Sequence, residues 1–145
     1  METNKKVTEI MRAHHLVISK LLLKLEAEMQ GKNSEKIKAA FLDFKKNMER
    51  HFYEEENVVF RFCEKINQKN LEISMTLIQQ HKTMLNMLNA IEVDINNGLE
   101  INDSDFKKMH LDHVNIEEII FYPELDIVLT DAKKKNILKR IEELA

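Results

Sequence analysis

Residues 51–60 read "HFYEEENVVF" and residues 113–123 read "HVNIEEIIFYP", and the two stretches share one pattern. Each begins with a histidine, carries a glutamate four positions later and ends in an apolar, aromatic tail. Successive residues of an α-helix are rotated by about 100°, so residues four apart lie nearly on one face. The histidine and the glutamate of each stretch are therefore expected to stack on a single face, which the surrounding apolar residues mark as buried.

The same kind of face can be followed along four long segments, in which apolar residues recur three and four positions apart. Short polar stretches separate these segments, "GKNS" (31–34), "NQKN" (67–70) and "NNG" (96–98), and a shorter helix is expected after Thr130. Because the connections are short, consecutive helices should pack antiparallel. We predict an all-α fold, an up-down-up-down antiparallel four-helix bundle with a short C-terminal fifth helix that covers one end.

Local signals predict where these helices end. Gly31 and Gly98 favour a stop after the first and third helices, and Ser34 is a suitable N-cap for the second. Pro123 lacks the N–H that a helix interior requires, so it should end or kink the fourth helix. With only two glycines and one proline in the chain, little material is left for turns, which favours long helices.

The composition limits the class of protein. The chain has 145 residues, 43% of them hydrophobic, and we expect residues 1–145 to form one domain. A formal net charge of −3 argues against binding of nucleic acid or of an anionic membrane.

The N-terminus has no apolar signal core, and no apolar run reaches the ~18 residues of a membrane span. A single cysteine, Cys63, excludes an internal disulfide and fits a reducing cytoplasm, where we expect the protein. The oligomeric state stays unknown.

Polar residues interrupt each apolar stripe near its middle. His15 and His81 lie on the inward faces of the first and third helices, as the two histidine–glutamate pairs do on the second and fourth. In an antiparallel bundle, six side chains can meet at one level: His15, His51, Glu55, His81, His113 and Glu117. Burying them without partners would be costly. A pair of bound cations would satisfy them, and the mixture of imidazole and carboxylate suits iron, manganese or zinc, with a carboxylate able to bridge two ions.

Other polar residues nearby have more than one interpretation. Only His15 continues the apolar series of its helix, so the adjacent His14 is expected at the surface, at an interface or beside a ligand. His110, one turn before His113, could be a metal ligand or a hydrogen-bond donor to one. Three glutamates are expected on solvated faces, although one could orient a ligand histidine through its second nitrogen: Glu54, Glu56 and Glu118. Two tyrosines could donate to a bound ligand, although the first is better suited to a helix–helix boundary: Tyr53 and Tyr122.

The order His, His-x-x-x-Glu, His, His-x-x-x-Glu, with a Phe-x-Pro end in the last stretch, resembles the hemerythrin-like (HHE cation-binding) family of four-helix di-iron proteins. The resemblance covers essentially the whole chain. It implies a centre of two iron ions joined by an oxo or hydroxo bridge. By position, it also implies four terminal histidine ligands, His15, His51, His81 and His113, and two bridging carboxylates, Glu55 and Glu117.

Two positions depart from the oxygen-carrying hemerythrins. Those proteins have a second histidine one turn along the third helix, where this chain has Leu85. They also have an aspartate five residues after the fourth-helix histidine, whereas here Glu117 follows four residues after it. His110 could supply the missing fifth imidazole. Without it, one iron keeps an open or water-filled position, which favours reactivity over simple carriage.

Two functions are compatible with such a centre. The first is reversible binding of O2, or of NO, for storage, transport or sensing, in a pocket with an expected apolar lining of Ile18, Leu22, Leu85, Leu88 and Ile120. The second is a redox enzyme that reduces peroxide or NO, or oxidises iron. The sequence lacks the Glu-x-x-His pairs of ferritin-like sites and the HExxH of zinc hydrolases. A bundle with merely structural histidines would leave both glutamates buried without partners. We therefore favour a small-molecule binding protein over an enzyme.

Overall fold

The computed structural model describes residues 6–63 and 66–144, and in this part of the chain all regular secondary structure is helical. The α-helices are α1 (Val7–Gly31), α2 (Ser34–Glu54), α3 (Phe60–Cys63), α4 (Gln68–Asn96), α5 (Ser104–Asn115), α6 (Tyr122–Val128) and α7 (Asp131–Leu144). Two segments of π-helix, π1 (Glu55–Val59) and π2 (Ile116–Phe121), join α2 to α3 and α5 to α6. The prediction of an all-α fold is confirmed, and within the described residues none of the helices is long and apolar enough to cross a membrane.

The turn between α1 and α2 differs in detail from the prediction. Asn33, not Ser34, is the N-cap of α2, and its side chain accepts a hydrogen bond from the backbone N–H of Lys36 at 3.2 Å. The left-handed residue that ends α1 is Lys32, with φ 56°, whereas Gly31 is the last helical residue. After α4, by contrast, Gly98 has φ 67°, the left-handed conformation that glycine adopts without steric cost. The stop predicted at Gly98 is confirmed.

A carboxylate from the other end of the chain caps helix α1. Its own N-cap, Lys6, makes no side-chain cap, and Asp126 of α6 accepts instead from the backbone N–H groups of Val7 at 2.8 Å and Thr8 at 3.2 Å. The Thr8 hydroxyl donates to the same carboxylate at 2.6 Å. A negative charge at a helix N-terminus is favourable. This contact holds α1 against α6 and thereby aligns the polar residues of α1 with those of π2.

Two apolar clusters form the core. The first contains Val7, Met11, Val58, Val59, Phe60, Leu77, Phe121, Tyr122, Leu125, Leu129, Ile137 and Ile141. The second contains Ile18, Leu22, Leu25, Ala40, Phe41, Phe44, Met48, Phe52, Met84, Leu88, Ile91, Ile95 and Phe106. Along α1, Met11 belongs to the first cluster and Ile18 to the second, and His15 lies between them. The same transition, with polar residues at the boundary, occurs along the other long helices, so a polar layer separates the two clusters.

Each histidine–glutamate pair leads into a π-helix that contains its glutamate and changes which of the later residues point inward. In the π segments the backbone N–H of Phe60 donates to Glu55 O, and that of Tyr122 donates to Glu117 O, five residues back instead of four. Tyr122 is therefore fully buried, whereas Ile120 is 49% exposed. The prediction that Ile120 lines a pocket is wrong, because it assumed an α-helical continuation.

Pro123 does not end the helical path. It lies in the first turn of α6, directly after π2, and the helical backbone continues to Val128. Proline is tolerated in the first turn of a helix, where its fixed φ is already suitable. Of the expectation that Pro123 ends or kinks the fourth helix, the first part is therefore wrong, and a kink stays a prediction.

Candidate metal centre

Six polar side chains from four helical segments meet between the two apolar clusters. The histidines come from the α-helices and the glutamates from the π segments: His15 (α1), His51 (α2), Glu55 (π1), His81 (α4), His113 (α5) and Glu117 (π2). Each is at most 5% exposed. They form two groups in which four ligand atoms lie within 4.8 Å of one another, His15, His51, Glu55 and Glu117 in one and Glu55, His81, His113 and Glu117 in the other. Both glutamates belong to both groups.

Within the centre, each carboxylate faces one histidine of its own helix and one of another. For Glu55 these are His51 and His81, whose Nε2 atoms lie 3.2 and 3.3 Å from Oε1. For Glu117 they are His113, with Nε2 3.4 Å from Oε2, and His15, with Nε2 3.1 Å from Oε1. The spacing that put a histidine and a glutamate on one helical face thus brings both pairs to the same level.

Several of these inward atoms have no hydrogen-bond partner among the described residues: Nε2 of His15, Nε2 of His51, Oε1 of Glu55 and Oε1 of Glu117. Buried polar atoms are normally paired, because an unpaired one loses its hydration without compensation. These four atoms point at one another, and imidazole nitrogen with carboxylate oxygen is a donor set that suits first-row transition metals. The residues present therefore fit a bound pair of cations.

Two of the four histidines are hydrogen-bonded through their outer nitrogen, and a third has a carboxylate nearby without a hydrogen bond. Glu118 Oε2 lies 2.7 Å from Nδ1 of His15, and Gln80 Oε1 lies 2.7 Å from Nδ1 of His113. For His81 the nearest group is Glu56, with Oε2 3.4 Å from Nδ1. Such contacts fix the ring so that Nε2 faces the metal position. The sequence indicated this role for the glutamates as a class, whereas that of Gln80 was missed.

Tyr122 adds a hydroxyl to the centre. The phenol donates toward Glu117 Oε2 at 3.0 Å and makes a short contact with Glu55 Oε2, and its ring is fully buried. A single phenol proton can serve only one carboxylate at a time, so the other contact needs a proton on a carboxyl group. The sequence suggested Tyr122 as a donor, and the π-turn explains how it reaches this position. Tyr53, by contrast, is 55% exposed.

The two carboxylates have opposite pKa shifts. Burial raises the pKa of Glu117 well above its usual range, and the nearby charge of Glu55 raises it further. Burial acts against ionisation of Glu55 as well, but the electrostatic attraction of His51 and the close polar groups of Glu117, His51 and His81 outweigh it, so the pKa of Glu55 is lowered well below its usual range. Without a cation, an ionised Glu55 beside a protonated Glu117 is favoured, and bound cations would displace that proton.

Aromatic rings separate the centre from solvent. Phe52 stacks on the ring of His81 with centroids 3.9 Å apart, and Phe60 stacks on the same ring at 5.8 Å. Burial lowers the pKa of His113 to about 3, which keeps this imidazole neutral, as a metal ligand must be. Of the donor groups, Glu55 is ionised and His113 is neutral, as metal binding requires, whereas Glu117 must first lose its proton.

His110 is buried but lies outside both groups of converging atoms. Its ring is parallel to that of Phe106, with centroids 5.9 Å apart. Burial, and then the nearby His15 and His51, lower its pKa to about 4. Its role as a metal ligand stays a prediction, and the six converging residues carry the case for a metal centre without it.

We expect His110 to make the metal-free protein less stable as the pH falls. Its folded-state pKa of about 4 lies below the unfolded value of about 6.5. Above pH 6.5 His110 is neutral in both the folded and the unfolded chain, and its contribution to stability is complete. Between pH 6.5 and 4 only the unfolded chain takes up the proton. The free energy of unfolding therefore falls by about 1.4 kcal/mol per pH unit, and by at most about 3 kcal/mol in total. Urea unfolding of the wild type and of His110→Gln at both pH values measures this. Lowering the pH should reduce the free energy of unfolding of the wild type more than that of the variant. If the difference between the two proteins does not depend on pH, the lowered pKa of His110 is contradicted.

Comparison with known families gives a match over most of the chain. The family model described as the hemerythrin HHE cation binding domain matches residues 6–125, which include all six converging residues and His110. Comparisons with curated proteins and with solved structures gave no match.

Proposed function

The chain belongs to the family of hemerythrin HHE cation-binding domains, and from this premise we propose that its buried centre holds two iron ions and binds O2 reversibly. The site residues are those in which the two groups converge: His15, His51, His81 and His113 as terminal ligands, with Glu55 and Glu117 as bridges. The family description supports a cation, and the choice of iron with an oxo or hydroxo bridge rests on the resemblance to the di-iron members.

The observation that carries the proposal is that the two groups share both carboxylates. Each group contributes two imidazoles of its own, and Glu55 and Glu117 are common to the two. A carboxylate has two oxygens, so it can bind one ion with each. His15 and His51 would hold one ion and His81 and His113 the other, with Glu55 and Glu117 common to both. Protein atoms therefore supply four donors per ion and leave room for a further ligand.

The order of the core clusters supports an antiparallel four-helix bundle. Along α1 and α4 the chain runs from the first cluster to the second, from Met11 to Ile18 and from Leu77 to Met84. Along α2 and α5 it runs the other way. α1 packs against α2 and α6, and α4 against α2 and α5. We infer an up-down-up-down bundle over residues 1–145 in one domain, to which α7 adds as the fifth helix.

The surroundings of the centre favour binding over turnover. Two iron ions would supply electrons and an open position for a small diatomic ligand such as O2 or NO. The role of the chain is to hold the histidines in place and to exclude water, through Glu118, Gln80 and the stacked Phe52. A dry pocket limits the supply of protons that irreversible reduction of O2 would need. Residence in the cytoplasm stays a prediction from the sequence.

Tyr122 supports the second candidate, a redox enzyme on the same centre that reduces peroxide or NO, or oxidises iron. Its hydroxyl contacts both bridging carboxylates, so a dissociable proton lies inside an otherwise dry site. A buried phenol can also give up an electron together with its proton. If the centre turns over, Tyr122 is the residue of this chain placed to supply that proton.

The test is the visible spectrum of iron-loaded protein that has been reduced without air. We expect a new charge-transfer band when O2 is admitted and its loss when O2 is removed, over repeated cycles. Zinc-loaded protein is the control, because zinc has no redox chemistry and should give no band. Prompt oxidation that does not reverse would favour the enzyme, and in that case Tyr122→Phe should slow the reaction.

A further inference from the structure

The four histidines of the centre are not equivalent on their outer side. His15 and His113 each have a hydrogen-bond partner at Nδ1, and Nδ1 of His81, although not hydrogen-bonded, has a carboxylate oxygen 3.4 Å away. For His51, neither ring nitrogen has a hydrogen-bond partner among the described residues. His51 is 5% exposed, so water from bulk solvent does not readily satisfy it. Its Nε2 faces Glu55 in the centre, and Nδ1 is left for the opposite side of the ring.

His51 also belongs to a third set of converging ligand atoms. One atom each of His14, His51 and Glu54 lies within 4.8 Å of the other two, and His14 Nδ1 is 3.4 Å from Glu54 Oε2. These residues line a cavity of about 210 Å³, together with Val17, Ile18, Asn47 and Arg50. His14 is one-third exposed, so the cavity communicates with solvent.

We propose that His14, His51 and Glu54 form an outer divalent-cation site next to the buried centre. Two imidazole nitrogens, one carboxylate oxygen and a solvent molecule are the donor set of many four-coordinate zinc sites. The unpartnered buried nitrogen of His51 is the observation that points to a ligand. The ring of His51 would then bind through both nitrogens, Nε2 toward the centre and Nδ1 toward the cavity, as an imidazolate whose N–H proton is released to solvent when the second ion binds.

The polar surroundings of Glu54 are compatible with this role. Its carboxylate is 3% exposed, and its contacts are long, with Arg50 Nε 3.4 Å from Oε1 and His14 Nδ1 3.4 Å from Oε2. Arg50 is the cation that would oppose a metal ion, but it approaches the other oxygen and its side chain is 48% exposed. Oε2 is therefore the oxygen available to an ion, and the flexible guanidinium can turn into solvent.

Equilibrium dialysis of untagged protein against Zn²⁺ tests the proposal. We expect wild-type protein to bind three ions per chain, and His14→Gln and Glu54→Gln to bind two each. Glu49→Gln, an exposed glutamate on the same helix, is the matched control and should keep three. A wild type that stops at two ions, or a Glu54→Gln variant that keeps three, overturns the outer site.

A further variant separates this proposal from that of the centre. Glu55→Ala should lose the two inner ions and keep the outer one. Glu55 contacts Nε2 of His51 and is not one of the three residues of the outer site. If Glu54→Gln loses all ions while its circular dichroism stays helical, Glu54 supports the centre and does not form a site of its own, and the proposal is wrong. Binding of two ions by both wild type and Glu54→Gln refutes the outer site and leaves the centre intact.

Discussion

Glu55→Ala should abolish binding of both ions of the buried centre, although only one side chain is changed. Glu55 belongs to both groups of converging atoms and is the carboxylate whose lowered pKa keeps it ionised. Without it, each position loses a donor and the pair of ions loses a bridge between them. We expect affinity at both positions to fall by more than about 100-fold, because loss of an outer-shell partner alone costs about 10–100-fold.

The measurement is the iron content of Glu55→Ala after loading and removal of excess metal, with circular dichroism to check that the helices remain. Glu49→Ala on α2 is the control, since its side chain is exposed and is not among the converging residues. Glu55→Gln, which keeps the shape of the side chain, serves if the alanine variant does not fold. Two tightly bound iron ions in a folded variant at position 55 would refute the assignment of Glu55 as a bridge.

Periodicity predicts the inward residues correctly where the helix is of the α type throughout. In α4, the stripe Leu77, His81, Met84, Leu88, Ile91 and Ile95 is buried along its whole length. The reason is that an α-helix repeats every 3.6 residues, so the facing side follows from spacing alone. The same argument chose His15 over His14 in α1, and the structure places His15 in the centre and His14 at its outer side.

The prediction of inward-facing residues fails where the α-helix changes to a π-helix. After Glu117, spacing alone puts Ile120 inside, but the π-turn turns it outward and brings Tyr122 under the carboxylate. The preference of one helical form over another depends on what the inward side chains contact in three dimensions, and no residue type in "EEIIFYP" marks it in advance. π-helical turns are frequent at functional sites. Both π segments here contain the glutamate of a histidine–glutamate pair.

The partners of the outer nitrogens could not be ranked from the sequence either. Gln79 and Gln80 are adjacent and chemically identical, yet Gln79 is exposed and Gln80 reaches His113 of α5. Which of the two faces the neighbouring helix depends on how α4 and α5 are rotated against each other. That rotation is set by the packed core and not by local sequence. The converging histidines and glutamates could therefore be predicted, whereas the residues that contact the outer histidine nitrogens could not.

Metal loading should raise the midpoint of thermal unfolding by about 15–30 °C. Without cations the centre has two buried carboxyl groups in contact, one of them held protonated by burial, and Nε2 atoms without partners. Ions that bind only the folded chain stabilise it by about 4 kcal/mol per site when their free concentration is about 1,000 times the dissociation constant. Two sites give about 8 kcal/mol, and each kcal/mol is worth about 2–4 °C in a domain of this size.

The increase should be absent from Glu55→Ala and should depend on pH in wild-type protein. Because bound ions displace the proton of Glu117, loading releases a proton, and affinity should rise with pH. Thermal unfolding of chelator-treated and reloaded protein, followed by circular dichroism at two pH values, measures both effects. An equal midpoint with and without metal would mean that the six buried side chains are satisfied without ions, and the centre would then be a structural polar layer.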